Sequence, residues 1–319
     1  ETERQMEQAL FNRWGRFGLG SDRNANLPVL GAVHLAAGYL IPQMLGCTVR
    51  YTDNRPPEVV PANIDLLELD PEKAFQSQAF KRFEHLVDAL LTKYGYVVGD
   101  VNFGGVLNHA LDLRGQTIFM DMIDNPGKVA RFFAALADVQ DRLTTFIERR
   151  TGTTSISVNR TLRHLPEPIY LHSECSHVMI SAKDYEQFLM PLDAAWSRRR
   201  RPFGVHYCGA DPQRFAASYA KLPHLAFLDV GWPGDVKTLR KHLPTTFLNL
   251  RYSPVEILRQ TPDEIRATVR RLVRESADPY RTGVCCINMD DQVTDAQVSA
   301  IFEEVEQLRN EFAASESSA

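Results

Sequence analysis

The sequence lacks the signals of several classes of protein. No apolar run approaches the roughly 20 residues that a helix needs to cross a membrane. No positive segment followed by an apolar stretch opens the chain, so we expect no secretory signal. The 36 basic and 40 acidic side chains leave a net charge of −4, which disfavours nucleic acid as a partner. We therefore expect a protein that binds neither membranes nor nucleic acid.

Cysteine is scarce as well. The cysteines are odd in number and are not spaced as in a small disulfide scaffold; they are Cys47, Cys175, Cys208, Cys285 and Cys286. This usage is typical of a reducing compartment, so we predict a cytoplasmic protein in which Cys47 and Cys175 are structural. With 319 residues, of which 44% are hydrophobic, the chain is long enough to bury a core without crosslinks.

Short apolar segments alternate with helical patterns along the chain. We predict strands over residues 27–34, 64–69, 96–102, 169–173, 203–207, 225–230, 246–250 and 283–288. Strands that alternate with helices pair in parallel, and eight such units predict a single-domain (β/α)8 TIM barrel of the α/β class. The predicted organisation is an N-terminal helical extension (1–26), the barrel (27–312) and a flexible tail (313–319).

Helices are predicted by apolar stripes and by capping patterns. Residues 126–150 carry the clearest apolar stripe. Helix starts are predicted by Ser181-x-x-Asp184, Thr261-Pro262-Asp263-Glu264 and Thr294-x-x-Gln297.

The segment around His206 is the first candidate for chemistry. His206 and Cys208 are two residues apart at the end of a predicted strand, so their side chains should leave the same face. An imidazole beside a thiolate suits zinc. Taken alone, however, a His-x-Cys pair is more often part of a core, because free cysteine behaves as a small buried hydrophobe.

A barrel would gather polar residues from distant strand ends at one mouth. The eighth strand ends in Cys285 and Cys286, of which one points inward and could be the third ligand; we favour Cys285. Glu174, after the fourth strand, is a candidate fourth ligand or proton acceptor, and Asp229 is a second catalytic candidate. Asp229 also has a plainer interpretation, as a hydrogen-bond acceptor at a strand end.

Other polar residues near predicted strand ends are candidates for substrate binding. They are His34, Asn102, His172, Arg251 and Asn288. His34 and Asn102 also have a plainer interpretation as groups that only satisfy backbone hydrogen bonds, and His172 as a histidine at the surface or beside a metal ligand.

Several segments, in this order and spacing, resemble a known family. They are Leu113-Arg114-Gly115-Gln116, Asp121-Met122-Ile123-Asp124-Asn125-Pro126, Ile180-Ser181-Ala182-Lys183-Asp184-Tyr185, His206-Tyr207-Cys208-Gly209 and Thr261-Pro262-Asp263-Glu264-Ile265. Over roughly residues 27–310 the chain resembles the uroporphyrinogen decarboxylase-like superfamily, and within it the zinc-containing, cobalamin-dependent methyltransferases.

The resemblance implies a zinc ion held by His206, Cys208 and one of Cys285 and Cys286, with an acidic residue at Glu174. It implies transfer of a methyl group between a corrinoid, carried by a partner protein, and a small thiol, pterin or methoxylated compound. The direction of transfer is left open, as is the oligomeric state, a homodimer included.

Two segments depart from the family's pattern. The arginine-bearing segment by which the decarboxylases hold a tetrapyrrole is replaced by Gly31-Ala32-Val33-His34-Leu35-Ala36-Ala37-Gly38, which argues against a porphyrinogen substrate. The Gly-Asn-x-Asp-Pro run reads Leu250-Arg251-Tyr252-Ser253-Pro254, which leaves the chain's own substrate open. The alternatives are a metal-free decarboxylase that uses Asp229 and Arg251, and a non-catalytic barrel that binds a corrinoid protein or a small ligand.

Overall fold

A computed structural model describes residues 2–20, 29–30, 39–53, 55–65, 67–101, 103–151, 154–156, 169–200, 202–286, 289 and 291–316. The strands in this part are β1 Val29–Leu30, β2 Thr48–Thr52, β3 Arg55–Val60, β4 Val98–Val101, β5 Thr154–Ile156, β6 Tyr170–Ser173, β7 Phe203–Tyr207, β8 Phe227–Val230, β9 Phe247–Arg251 and β10 Thr282–Cys285.

Helices separate most of these strands. Those before β6 are α1 Thr2–Trp14, α2 Leu40–Met44, α3 Pro71–Gln76, α4 Gln78–Tyr94, α5 Val106–Arg114, α6 Thr117–Asp124 and α7 Pro126–Thr151. Those after β6 are α8 Ala182–Asp184, α9 Met190–Arg199, α10 Ala216–Tyr219, α11 Val236–His242, α12 Pro254–Arg259, α13 Pro262–Glu275 and α14 Asp295–Glu316. A single π-helical turn, Tyr185–Leu189, joins α8 to α9.

Eight strands form one sheet in the order β1-β4-β5-β6-β7-β8-β9-β10, and every neighbouring pair is parallel. The predicted α/β class with a parallel sheet is therefore confirmed. Strands that follow chain order in one parallel sheet are what a barrel requires. Between described residues, however, no ladder of hydrogen bonds joins β10 to β1, so closure of the barrel stays a prediction.

The predicted strand over residues 64–69 is wrong. The described residues there are irregular, and the backbone N–H of Ile64 donates to the carbonyl of Leu113 at 2.9 Å. Arg114 donates to the carbonyl of Ile64 at 2.6 Å. Leu67 and Leu69 pack against the core from this loop. A short apolar run does not reveal whether its residues enter the core from a strand or from a loop.

Two strand regions were not predicted. One is β5, a three-residue strand that lies between β4 and β6 in the sheet, whereas β4 pairs directly with β1. The antiparallel pair β2–β3 forms a separate hairpin between β1 and β4. Its strands are rich in charged residues and proline, which are weak strand signals.

Local sequence chemistry explains the best-predicted helices. The side-chain hydroxyls of Ser181 and Thr261 accept from Asp184 N and Glu264 N, and the two acidic side chains bond back, so both capping boxes are present. Thr294 and Gln297 make the same reciprocal pair before α14. The apolar stripe of α7 is buried through Val129, Phe132, Leu136, Leu143 and Ile147, among others.

The first and last helices pack together. Arg13 pairs with Asp295 at 2.7 Å, and the ring of Phe17 stacks on that of Phe302 with centroids 4.6 Å apart. The predicted helical extension thus lies on α14, which itself continues to Glu316, inside the segment predicted as a tail. No helix among the described residues is both long and apolar enough to cross a membrane.

Candidate metal centre

The centre lies where β6 and β7 end side by side. Ser173 pairs with His206 in the register of these parallel strands. Two residues further along each chain segment are Cys175 and Cys208, so the register carries the two cysteines to neighbouring positions. Cys175 starts a short 3-10 turn, and Cys208 follows directly after β7.

Three side chains meet here through their metal-binding atoms. His206 Nε2 lies 2.6 Å from Cys208 Sγ, and Cys175 Sγ lies 2.9 Å from Cys208 Sγ. The donor atoms of Cys175, His206 and Cys208 all lie within 4.8 Å of one another. His206 is buried, Cys175 is half-buried and Cys208 is exposed, so the centre opens to solvent on the side of Cys208.

A carboxylate and an amide hold the histidine from behind. Asp229, on β8, accepts from His206 Nδ1 at 2.5 Å, which leaves Nε2 to face the thiols. The amide of Asn249, on β9, donates to the second oxygen of Asp229 at 2.8 Å and to Cys285 Sγ at 3.1 Å. Carboxylate–histidine pairs of this kind orient metal ligands in proteins.

The contacts set the charges of the cluster. Burial disfavours a charge on His206, but the Asp229 carboxylate outweighs it and raises the pKa of His206 to about 9. The hydrogen bond from Cys175, with that from His206, lowers the pKa of Cys208 to about 4. The same contact with Cys208 raises the pKa of Cys175. The contacts therefore favour a thiolate at Cys208 over one at Cys175.

Arg251 supplies a positive charge at the same place. It ends β9, and its Nη1 lies 3.3 Å from His206 Nε2 and 3.5 Å from Cys208 Sγ. Burial works against its charge, while Asp229 and Cys208 favour it. The sequence predicted Arg251 as a substrate-binding residue, and the structure brings it to the cluster.

Glu174 belongs to a second, fully buried network. Its Oε1 accepts from the backbone N–H of Leu107, in the first turn of α5, at 3.0 Å, and lies 3.3 Å from His172 Nε2. His172 Nδ1 in turn lies 2.6 Å from Asp193, whose other oxygen accepts from Tyr185 at 2.7 Å. Among the described residues, Glu174 Oε2 has no hydrogen-bond partner.

Charge in this network follows from the pairing of opposite charges. Burial opposes a charge on His172, but Asp193 and Glu174 raise its pKa to about 10. Burial likewise opposes a charge on Glu174, and His172 lowers its pKa. His177, in the turn after β6, has no such partner, and burial lowers its pKa to about 4.

The structure brings together only part of the predicted site. It brings four of the predicted residues together: His206, Cys208, Asp229 and Arg251. Cys285 lies beside this group, because the amide of Asn249 donates both to Asp229 and to the half-buried thiol of Cys285. Glu174 and His172 sit in the neighbouring buried network rather than among the three clustered donors. The remaining predicted residues, His34, Asn102 and Asn288, lie outside the described residues.

Sequence reasoning missed two participants. Cys175 was expected to be structural, and the geometry places it in the cluster. The proximity of Cys175 to His206 and Cys208 depends on the register between β6 and β7, and the sequence alone does not reveal that register. Asn249 was overlooked because it lies in the middle of an apolar strand; an amide in such a place needs a partner, and that was the available signal.

Comparisons with known proteins bear on the fold. No protein family matches the sequence, and no curated protein sequence matches it either. Among solved structures, the chain is similar to a methyltransferase from Methanosarcina mazei, with a TM-score of 0.65 and 16% sequence identity. The similarity covers 96% of this chain and 86% of that one, so the two share their fold over nearly the whole chain.

Proposed function

We propose that this chain is a zinc-dependent methyltransferase that moves a methyl group between a corrinoid on a partner protein and a small substrate. The observation that carries the proposal is the cluster of Cys175, His206 and Cys208 at the carboxyl ends of parallel strands. The fold shared with a methyltransferase supports it, as does the resemblance noted in the sequence. In this proposal the eight parallel strands close into the barrel of that superfamily.

The donor set fits zinc on chemical grounds. Two sulfurs and one imidazole are borderline-soft ligands, and three protein ligands leave a position for a substrate atom. His206, Cys208 and Cys175 would hold the ion, and Cys285 is the competing third thiol. Zinc bound there would lower the pKa of a substrate thiol, or polarise the methyl donor in the reverse reaction.

The neighbouring residues would orient and move protons. Asp229 would keep Nδ1 of His206 protonated, so that Nε2 stays free to bind the ion, and Asn249 would fix Asp229. Arg251 would bind the polar end of the substrate beside Cys208. The unpartnered Oε2 of Glu174 is the atom we propose as proton acceptor, and the Leu107 N–H and His172 would hold the carboxylate in place.

Zinc content tests the first half of the proposal. Purified protein should carry about one zinc per chain if the three donors form one site. His206→Ala and Cys208→Ala should each lose it, whereas Cys47→Ser, which changes a buried thiol elsewhere, should retain it. Zinc retained by the double variant of His206 and Cys208 would contradict the site.

Methyl transfer tests the second half. Methylcobalamin should lose its methyl group to one member of a panel of thiols and pterins, or reduced cobalamin should gain one from a methoxylated compound, as its absorbance reports. Removal of the metal with a chelator should stop the reaction. A chelator-treated protein that instead decarboxylates a carboxylate substrate at full rate would favour the metal-free decarboxylase.

A further inference from the structure

The two thiols at the mouth of the centre are placed for a reaction of their own. Cys175 Sγ and Cys208 Sγ lie 2.9 Å apart. A disulfide needs the two sulfurs at about 2.05 Å and the two Cα atoms about 4.4–6.8 Å apart. Neighbouring strands run about 4.8 Å apart, which falls within that Cα range, and the two cysteines each follow a paired residue of adjacent strands by two positions.

Strand register explains why the two sulfurs face each other. Ser173 pairs with His206, and the residue two places later is a cysteine in both segments. Glu174 N–H still donates to the carbonyl of His206 at 3.3 Å, so the ladder persists up to the cysteines. Cys175 opens the turn after β6 and Cys208 directly follows β7, and from these two positions their sulfurs come into contact.

Access to solvent differs between the two thiols. Cys208 is exposed, and Cys175 is half-buried behind it. An oxidant that arrives from solvent meets Cys208 first, and the sulfur of Cys175 is then the adjacent nucleophile. The other cysteines are less well placed, because Cys285 is bonded to Asn249 and Cys47 is buried against the carbonyl of Asp112.

We propose that Cys175 and Cys208 form a reversible disulfide when the metal-free protein meets a peroxide. Cys208 attacks the peroxide, which leaves a sulfenic acid on Cys208 and releases one water. The Cys175 thiol then displaces hydroxide from that sulfur, the S–S bond forms, and a second water leaves with the proton of Cys175. One hydrogen peroxide thus accepts the two electrons of two thiols, and a dithiol reductant reverses the change.

The bond would take away two of the three clustered donors at once. A thiol in a disulfide cannot coordinate as a thiolate, so His206 alone would remain of the set. This consequence rests on the proposed function, because it matters only if the cluster holds a metal. The disulfide itself does not rest on it, because the bond requires only the contact between the two sulfurs.

The test uses full-length protein that has been stripped of metal and treated with hydrogen peroxide. Wild-type protein should lose two free thiols per chain, counted with a chromogenic thiol reagent after unfolding. Digestion without reductant should yield a peptide that joins Cys175 to Cys208 and is lighter than its two parts by two hydrogen atoms. Dithiothreitol should restore both thiols.

Two variants make the result decisive. Cys175→Ser should yield no joined peptide, and its Cys208 should instead progress to a sulfinic acid that dithiothreitol does not reverse. Cys285→Ser, the matched control, removes a thiol outside the pair and should form the bond as wild type does. A joined peptide that contains Cys285 or Cys286, or Cys208 oxidised beyond the sulfenic acid in wild-type protein, would overturn the proposal. Because no metal is present, failure of zinc binding would not mimic either outcome.

Discussion

The two ends of the sheet hold an arginine in opposite ways. At the amino ends of β9 and β10, Arg240 is buried and donates to five backbone carbonyls, those of Leu243, Pro244, Thr246, Ser276 and Arg281. At the carboxyl end of β9, the guanidinium of Arg251 lies against side chains instead, 3.3 Å from His206 Nε2 and 3.5 Å from Cys208 Sγ.

The two arginines therefore differ in role: Arg240 supports the fold, and Arg251 lies at the candidate site. The carbonyls around Arg240 belong to loops and strand starts, and they cannot leave without partial unfolding. The partners of Arg251 are two side chains that could bind an ion instead, so its contacts can be exchanged. For these two arginines, the fixed contacts thus lie at the amino end of the sheet and the exchangeable ones at the carboxyl end, where parallel barrels place their active sites.

The most direct test of this difference is to replace each of the two arginines in turn. Arg240→Met should lower the free energy of unfolding by about 3–5 kcal/mol, because buried carbonyls lose a charged donor. Arg251→Met should change it by less than about 1 kcal/mol, because its partners can find other contacts. Urea unfolding of both variants measures this, and equal losses would show that the two ends do not differ.

The buried histidines of the carboxyl end predict a dependence on pH. Burial lowers the pKa of His177 to about 4, whereas the unfolded chain binds that proton near pH 6.5. Its contribution is therefore full above pH 6.5 and is lost as the pH falls towards 4, by about 3 kcal/mol in all. His177→Gln should flatten this acid limb in urea unfolding followed from pH 7 to 4.5, and an unchanged slope would contradict the assignment.

Substitution of Asp229 tests whether the positioning of the proposed zinc ligand can be separated from the stability of the fold. At the proposed zinc site, Asp229→Asn should weaken zinc binding about 10- to 100-fold, because the amide no longer selects the right tautomer of His206. Competition against a chromophoric chelator measures the affinity. Arg240→Met, at the other end of the sheet, should leave the affinity of the remaining folded protein unchanged, and a comparable loss there would remove the separation of the two ends.

The smallest effect concerns the helix that Glu174 caps. A Cβ added at Gly105 would lie 2.2 Å from Glu174 Cδ, so Gly105→Ala must displace the carboxylate from the start of α5. We expect a loss of about 1–3 kcal/mol in unfolding free energy. Gly127→Ala is the matched control at the start of α7, where the nearest atom is a flexible arginine nitrogen 3.8 Å away, and it should be neutral or slightly stabilising.

Much of the fold could be predicted from the sequence, because the signals for helices and strands are local. The apolar residues before His206 predicted β7 with the bounds that the structure has. Thr261 predicted the start of α13, because its side chain caps that helix. Residues 64–69 misled because apolar side chains in a loop look like those in a strand. β5 was not predicted, because a strand of three residues joins the sheet through its backbone hydrogen bonds, which leave no pattern in the sequence.

The site was harder to predict for a different reason. His206, Asp229 and Arg251 could be inferred because each occupies a strand end, where a parallel fold gathers polar groups. The contact between Cys175 and Cys208 depends on the pairing of β6 with β7 and on a turn that starts at Cys175. Both are tertiary facts, and a shift of one residue in that register would have turned the two thiols to opposite faces.

The adjacency of β6 and β7 also bears on how the chain folds. The two thiols are separated by 33 positions along the chain, with His206 between them. Closing a loop of that length costs little entropy compared with joining the two edges of the sheet. If the proposed ion binds, it would tie one strand–helix–strand unit together through a short loop of chain.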